Sequence, residues 1–193
     1  MSTRRVRIIL FVVVALVQLA VAGGAVIRSE LALRGGEVFR FRIQPVDPVD
    51  AFRGRYVAIR FALDQAPAPA GLELRRRQWV FVPLEVDGDG LAFFGPAALE
   101  PPSSGAYLRL QSGGISPDED GQRRVWVTMP FNRYYMDENL APEAERAVWS
   151  SPRGRREAFV TVKVRRGVGV LQELYIDDVP IHQWLAENPS DPP

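Results

Sequence analysis

Apolar and polar positions alternate with a period of two through much of residues 37–180, the pattern of β-strands that each bury one face. Phe39, Phe41 and Ile43 fall on one side of the first run, with Arg40 and Arg42 on the other. The pattern recurs at Val57, Ile59, Phe61 and Leu63, with Arg60 opposite, and again at Val80, Val82, Leu84 and Val86. Asp87-Gly88-Asp89-Gly90 follows, made of residues that tolerate the positive φ angles of a hairpin turn. Leu108 and Leu110, then Val125, Val127 and Met129, continue the series. A last hairpin is predicted from Val160, Val162 and Val164, through a turn at Gly167 and Gly169, to Leu174 and Ile176. Helix is expected only in pieces, at APEAERAVW, where a proline sits in the first turn, and at PIHQWLAE. The fold class expected is mainly β with a minor α contribution, an antiparallel β-sandwich or barrel.

The N-terminus breaks this pattern. Residues 8–27 form a run of 20 without a charge, in which Gln18 is the one strongly polar side chain. That length suits a helix crossing the bilayer core. Arg4, Arg5 and Arg7 precede it, which by the positive-inside rule puts the N-terminus in the cytoplasm. The organisation expected is a cytoplasmic segment at 1–7, a transmembrane signal anchor at 8–27 and a juxtamembrane linker at 28–36. A periplasmic β-rich domain at 37–180 and a C-terminal tail at 181–193 complete it. A cleavable signal peptide is the rival reading, because Ala20-Val21-Ala22 resembles a cleavage site. Either way the remainder of the chain lies outside the cytoplasm.

Composition removes several function classes. The chain has no cysteine, so disulfides, cysteine–metal sites and thiol catalysis are excluded. The N-terminal arginines are three of 24 basic residues; the other 21 face 23 acidic ones, a net charge of −2 beyond the anchor. A domain so close to neutral is not expected to bind nucleic acid. No cofactor motif is present, and a metal site would rest on His182, the single histidine.

Two arginine–tyrosine segments stand out. In VDAFRGRYVAIRF, Asp47 and Asp50 are placed to form turns and to pair with Arg53 or Arg55, beside Tyr56. The functional alternative is an arginine–tyrosine platform that holds a carboxylate or phosphate. The second segment, RYYMDENLAPEAER, brings Arg133, Tyr134 and Tyr135 together with Glu138, Glu143 and Glu145. An offset of 78 carries Arg55-Tyr56 onto Arg133-Tyr134, and Val82, Leu84 and Val86 onto Val160, Val162 and Val164. This points to two pseudo-repeated halves; chance alignment of valine-rich hairpins is the alternative.

Gly54-Arg55-Tyr56-Val57-Ala58-Ile59-Arg60-Phe61 resembles the octapeptide for which the GDYXXLXY family is named. Gly54 and Tyr56 match, Ile59 stands for leucine and Phe61 for tyrosine, while Arg55 replaces the acidic residue. The lead-in from Pro45 to Pro48, and the Arg133–Glu145 block, are similar to further family segments. The resemblance implies a membrane-anchored protein of the outer face, often accompanied by a polytopic membrane protein, with no established activity. It puts in doubt any role that needed a carboxylate at position 55.

Other candidates are weighed against plainer roles. Glu138 with Glu143 or Glu145 would suit an envelope hydrolase acting on a glycan, but residues two apart on a helix diverge. Lys163, the single lysine, would be needed for a serine–lysine dyad, and a solvated strand lysine is the simpler role. Arg75, Arg76 and Arg77 could meet anionic headgroups or be a solvated loop. The leading expectation is a binding or scaffold domain tethered through residues 8–27 to the bilayer, next to a polytopic membrane protein. A lipid or peptide carrier is a further alternative, and no catalysis is predicted.

Overall fold

The computed structural model describes residues 3–44, 56–118, 120–137, 139–149 and 157–188. The apolar N-terminus forms one helix, α1 (Thr3–Gly35). The stretch Arg4–Gly35 is apolar enough to cross a membrane, and its most apolar window buries nothing against protein. Such a helix gains from contact with lipid rather than with a protein core. The linker expected at 28–36 is helical as far as Gly35. Ser29–Arg34 contains no proline, and Glu30 pairs with Arg34 one turn on at 2.7 Å.

The strands follow as β1 (Glu37–Gln44), β2 (Tyr56–Ala58), β3 (Arg60–Phe61), β4 (Gln65–Pro67), β5 (Trp79–Val86) and β6 (Ala92–Phe94). Then come β7 (Tyr107–Pro117), β8 (Arg123–Thr128), β9 (Arg133–Tyr135) and the helix α2 (Ala141–Trp149). The last elements are β10 (Ala158–Arg165), β11 (Val168–Ile176), β12 (Val179–Pro180) and α3 (Ile181–Glu187). They make two five-stranded sheets, ordered β12-β11-β10-β1-β3 and β4-β8-β7-β5-β6, and a two-stranded sheet β2-β9. These pairings are antiparallel, so the mainly β class expected from alternation is what the chain adopts.

The inner faces share one core. Phe39, Phe41 and Ile43 meet Val57, Ile59, Phe61, Val80, Val82, Leu108, Leu110, Val160, Val162 and Leu174 in a single cluster. Each fully buried side chain of this size contributes about 1.5–3 kcal/mol by leaving water. Val86 departs from the expected face: it is 53% exposed at the end of β5, beyond the opposing sheet. The turn after it is as expected, with the Asp87 carboxylate accepting the N–H groups of Asp89 and Leu91. The later hairpin turns earlier than predicted. Arg165 pairs with Val168, and the two residues between, Arg166 and Gly167, take φ angles of 47° and 82°. Gly169 is already in β11, opposite Val164, where a Cβ would come 2.9 Å from Leu108 Cδ2.

The two hairpins related by the offset take similar places in the two sheets. The β5–β6 hairpin lies beside β7, and the β10–β11 hairpin lies beside β1. Bridges join the sheets: Arg40 in β1 joins Leu91 at the β5–β6 turn, and Leu108 in β7 joins Gly167 at the β10–β11 turn. The two sheets curl around their shared core.

The junction of α1 with the sheet is closely fitted. Ala32 is fully buried, and the Gly36 N–H closes the helix on the Ala32 carbonyl at 2.9 Å. Lys163 Nζ donates to the Leu33 carbonyl at 2.7 Å, and Arg165 donates to the Leu31 carbonyl at 3.2 Å. Carbonyls at a helix C-terminus have no intrahelical partner and carry partial negative charge, so two cations from β10 complement them.

Candidate functional site

The two arginine–tyrosine segments, far apart in sequence, are neighbours. Tyr56 faces Tyr135, Val57 faces Tyr134 and Ala58 faces Arg133 in the β2–β9 ladder. One step further the Ile59 N–H donates to the Asn132 carbonyl at 2.9 Å. Hydrogen-bonded and non-hydrogen-bonded pairs alternate along an antiparallel ladder, so the Ala58–Arg133 and Tyr56–Tyr135 pairs are the closely spaced, non-hydrogen-bonded kind.

Alternation then separates two faces. Val57 is fully buried and Tyr134 half-buried on the inner side. Tyr56, Arg133 and Tyr135 share the outer side, where the Arg133 guanidinium lies 4.7 Å from the centre of the Tyr56 ring. The Tyr56 and Tyr135 rings meet edge to face at 6.1 Å. Polar contact with Tyr135, and the neighbouring Tyr56 phenol, raise the Arg133 guanidinium above its ordinary range. Tyr135 remains 68% exposed. The result is a cation between two aromatic rings on an open face, an arrangement able to receive a carboxylate edge or a further ring.

The inner side is a polar lock that alternation did not reveal. Tyr134 donates its hydroxyl hydrogen to Glu173, whose carboxylate also accepts the Leu174 N–H at 3.2 Å. His182 Nδ1 lies 3.7 Å from the other Glu173 oxygen. Burial, then the hydrogen bond to Glu173 and its charge, raise the Tyr134 hydroxyl well above the usual tyrosine range. Glu173 faces Thr161 beside a β-bulge between Thr161 and Val162, which shifts the register of β11. A lone acidic residue inside the apolar VGVLQELYI is the one sequence signal for the contact.

Glu143 and Glu145 lie on α2, which packs on β2 through the face bearing the buried Ala144, Ala147 and Val148. Both are half-buried, and Glu143 occupies the first turn, where negative charge suits the helix dipole. Neither lines the cavity bordered by Ala58 and Phe61, the one bordered by Gln111 and Thr128, or the one bordered by Asp118 and Trp126. Asp47, Asp50, Arg53, Arg55 and Glu138 lie outside the described residues. Lys163 is a helix cap rather than a solvated strand lysine.

The octapeptide now reads in two parts. Val57, Ile59 and Phe61 are core, with Phe61 edge to face against both Phe41 and Phe131. Tyr56 and Arg60 turn outward, and the segment from Ala58 to Phe61 lines one side of a cavity of about 460 Å³. The sequence matches the GDYXXLXY protein family over residues 18–174. The chain belongs to that family. No curated protein and no solved structure matches it. For this GDYXXLXY protein, the match runs from inside α1 to Leu174, so it takes in both members of the β2–β9 ladder.

Proposed function

We propose that this GDYXXLXY protein is a membrane-tethered binding or scaffold domain on the extracytoplasmic side, accessory to a polytopic membrane protein and without catalysis. The observation that carries this reading is the outer face of the β2–β9 ladder, where Tyr56, Arg133 and Tyr135 form one exposed cation–aromatic cluster. Tyrosine and arginine are the residue types that most often carry binding energy at protein interfaces. Arg4, Arg5 and Arg7 in the first turns of α1 support the orientation, and the apolar length of α1 supports retention in the bilayer. A domain tethered by an anchored helix meets partners in the same membrane at high effective concentration. Asp47, Asp50, Arg53, Arg55 and Glu138 adjoin the ladder in sequence, and Glu143 and Glu145 lie on α2, which packs on β2.

The hydrolase reading has less support, because Glu143 and Glu145 lie two residues apart on α2 and so diverge. A carrier would need an apolar chamber between the sheets, a space that Phe41, Leu108, Leu110 and Val160 occupy. The test is cross-linking and pull-down from native membranes with the full-length protein. Arg133→Glu and Tyr135→Ala are expected to lose the partner while keeping the wild-type thermal transition. Wild-type complementation by an Arg133→Ala, Glu138→Ala double variant would sink the proposal.

A further inference from the structure

A second surface, away from the β2–β9 ladder, has the chemistry of an anion site. A cavity of about 430 Å³ is lined by Arg76, Arg77, Gln111, Ser112, Gly113 and Thr128, and no carboxylate lines it. Its position follows from strand register. Gln111 faces Trp79 on one side and Thr128 on the other, while Leu110, Ser112 and Val127 point into the core. Gln111 and Thr128 therefore project together from the outer face of the sheet. A β-bulge between Ser112 and Gly114 opens the ladder here, and Gly113 adds no side chain to refill it. A Cβ on Gly113 would come 3.2 Å from the Trp126 Cβ.

The two arginines are delivered by a pinned turn. The Arg75 N–H donates to the Gln78 side-chain oxygen at 3.0 Å, and the Gln78 N–H returns to the Arg75 carbonyl at 3.2 Å. The Arg77 N–H donates to the Ser112 carbonyl at 2.7 Å, and the Ser112 N–H to the Gln78 carbonyl at 2.8 Å. Arg77 has a φ of 62°, in the left-handed region that side chains other than glycine occupy at a cost. Arg34, Arg40, Arg42 and Arg124 each pair with a carboxylate. Among the described residues neither Arg76 nor Arg77 has such a partner.

We propose that this cavity binds a phosphate group, either on a small soluble ester or in a phospholipid headgroup. Two guanidinium groups match the charge and the several acceptor oxygens of a phosphate, and each can engage it through paired N–H donors. The Gln111 amide and the Thr128 hydroxyl stand beside them to complete the shell. The volume admits a phosphate with a short polar substituent. This site is independent of the Tyr56–Arg133 surface, so the two proposals fail separately.

The experiment uses the full-length protein in neutral detergent. Calorimetric titration with inorganic phosphate reads the soluble arm, and native mass spectrometry of retained phosphatidylglycerol reads the lipid arm. An Arg76→Gln, Arg77→Gly double variant is expected to weaken binding by about 10-fold or more in at least one arm. Glycine accepts the φ of position 77, so the thermal transition should be kept. Loss in the phosphate arm assigns a soluble ester, and loss confined to the lipid arm assigns a headgroup. Arg75→Gln should bind as wild type does. Undiminished binding by the double variant in both arms, equal loss in Arg75→Gln, or no binding of either probe would overturn the site.

Discussion

Lys163 Nζ hydrogen-bonds the carbonyl oxygen of Leu33 at 2.7 Å, so the single lysine of the chain closes the end of its apolar helix. Lys163→Met keeps most of the stem and removes the charge. The expected cost is about 1.5–2 kcal/mol, the lower part of the range for a hydrogen bond to a charged group. Spin-label distances between α1 and β11 should also broaden, because the cap ties the helix to the sheet. An unchanged denaturation midpoint together with an unchanged distance distribution would count against this role.

Gly36 occupies the narrowest point of the same junction. A Cβ there would overlap the Ala32 carbonyl oxygen and come within 3.0 Å of the Val164 carbonyl oxygen, both of them backbone atoms. Gly36→Ala should therefore destabilise by about 1–3 kcal/mol, the cost of forcing backbone apart. Gly88→Ala is the control, since a Cβ at Gly88 meets nothing within 4 Å. Thermal denaturation of the two variants side by side checks the prediction; equal transitions would refute it.

The Tyr134–Glu173 lock predicts a pH dependence. The folded protein holds the Tyr134 proton more tightly than the unfolded chain does, because its hydroxyl is raised above the ordinary value of 10.0. Its contribution is thus fully present below pH 10.0 and is lost as pH rises above that value, where the unfolded chain ionises first. Tyr134→Phe should cost about 1–2 kcal/mol at neutral pH by removing the hydroxyl donor. The stability gap to wild type should narrow in alkali. A gap that widens above pH 10.0 would contradict the assignment.

The β2–β9 register can be tested covalently in a chain without cysteines. Ala58 and Arg133 form a non-hydrogen-bonded pair, which brings side chains close enough for a cross-strand disulfide. An Ala58→Cys, Arg133→Cys variant should oxidise readily and shift on a non-reducing gel. An Ala58→Cys, Tyr134→Cys variant points its sulfurs to opposite faces and should remain reduced. Equal oxidation of both variants would reject the pairing.

Much of the architecture was legible in residue order. The alternations at Phe39–Phe41–Ile43, Val80–Val82–Leu84 and Val160–Val162–Val164 specified strands, because one buried face requires a period of two. Arg4, Arg5 and Arg7 before a long uncharged run specified the apolar helix. Asp87 to Gly90 specified a turn through side-chain to backbone bonds that are local in sequence. The family octapeptide could be read directly, and its Val57, Ile59 and Phe61 positions are accounted for by the core.

What only the tertiary structure decided depends on contacts between distant segments. The two arginine–tyrosine segments read as similar elements, and the fold pairs them with each other. Glu173 reaches Tyr134 from a distant strand, beside a bulge that shifts register within β10–β11. Lys163 reads as a polar strand position, and it caps a helix 130 residues earlier. Arg76 and Arg77 read as a loop, and they border a cavity only because Ser112 pins their turn over Gln111 and Thr128. Periodicity records which face of a strand is buried; which strand lies opposite is settled by closing the whole core at once.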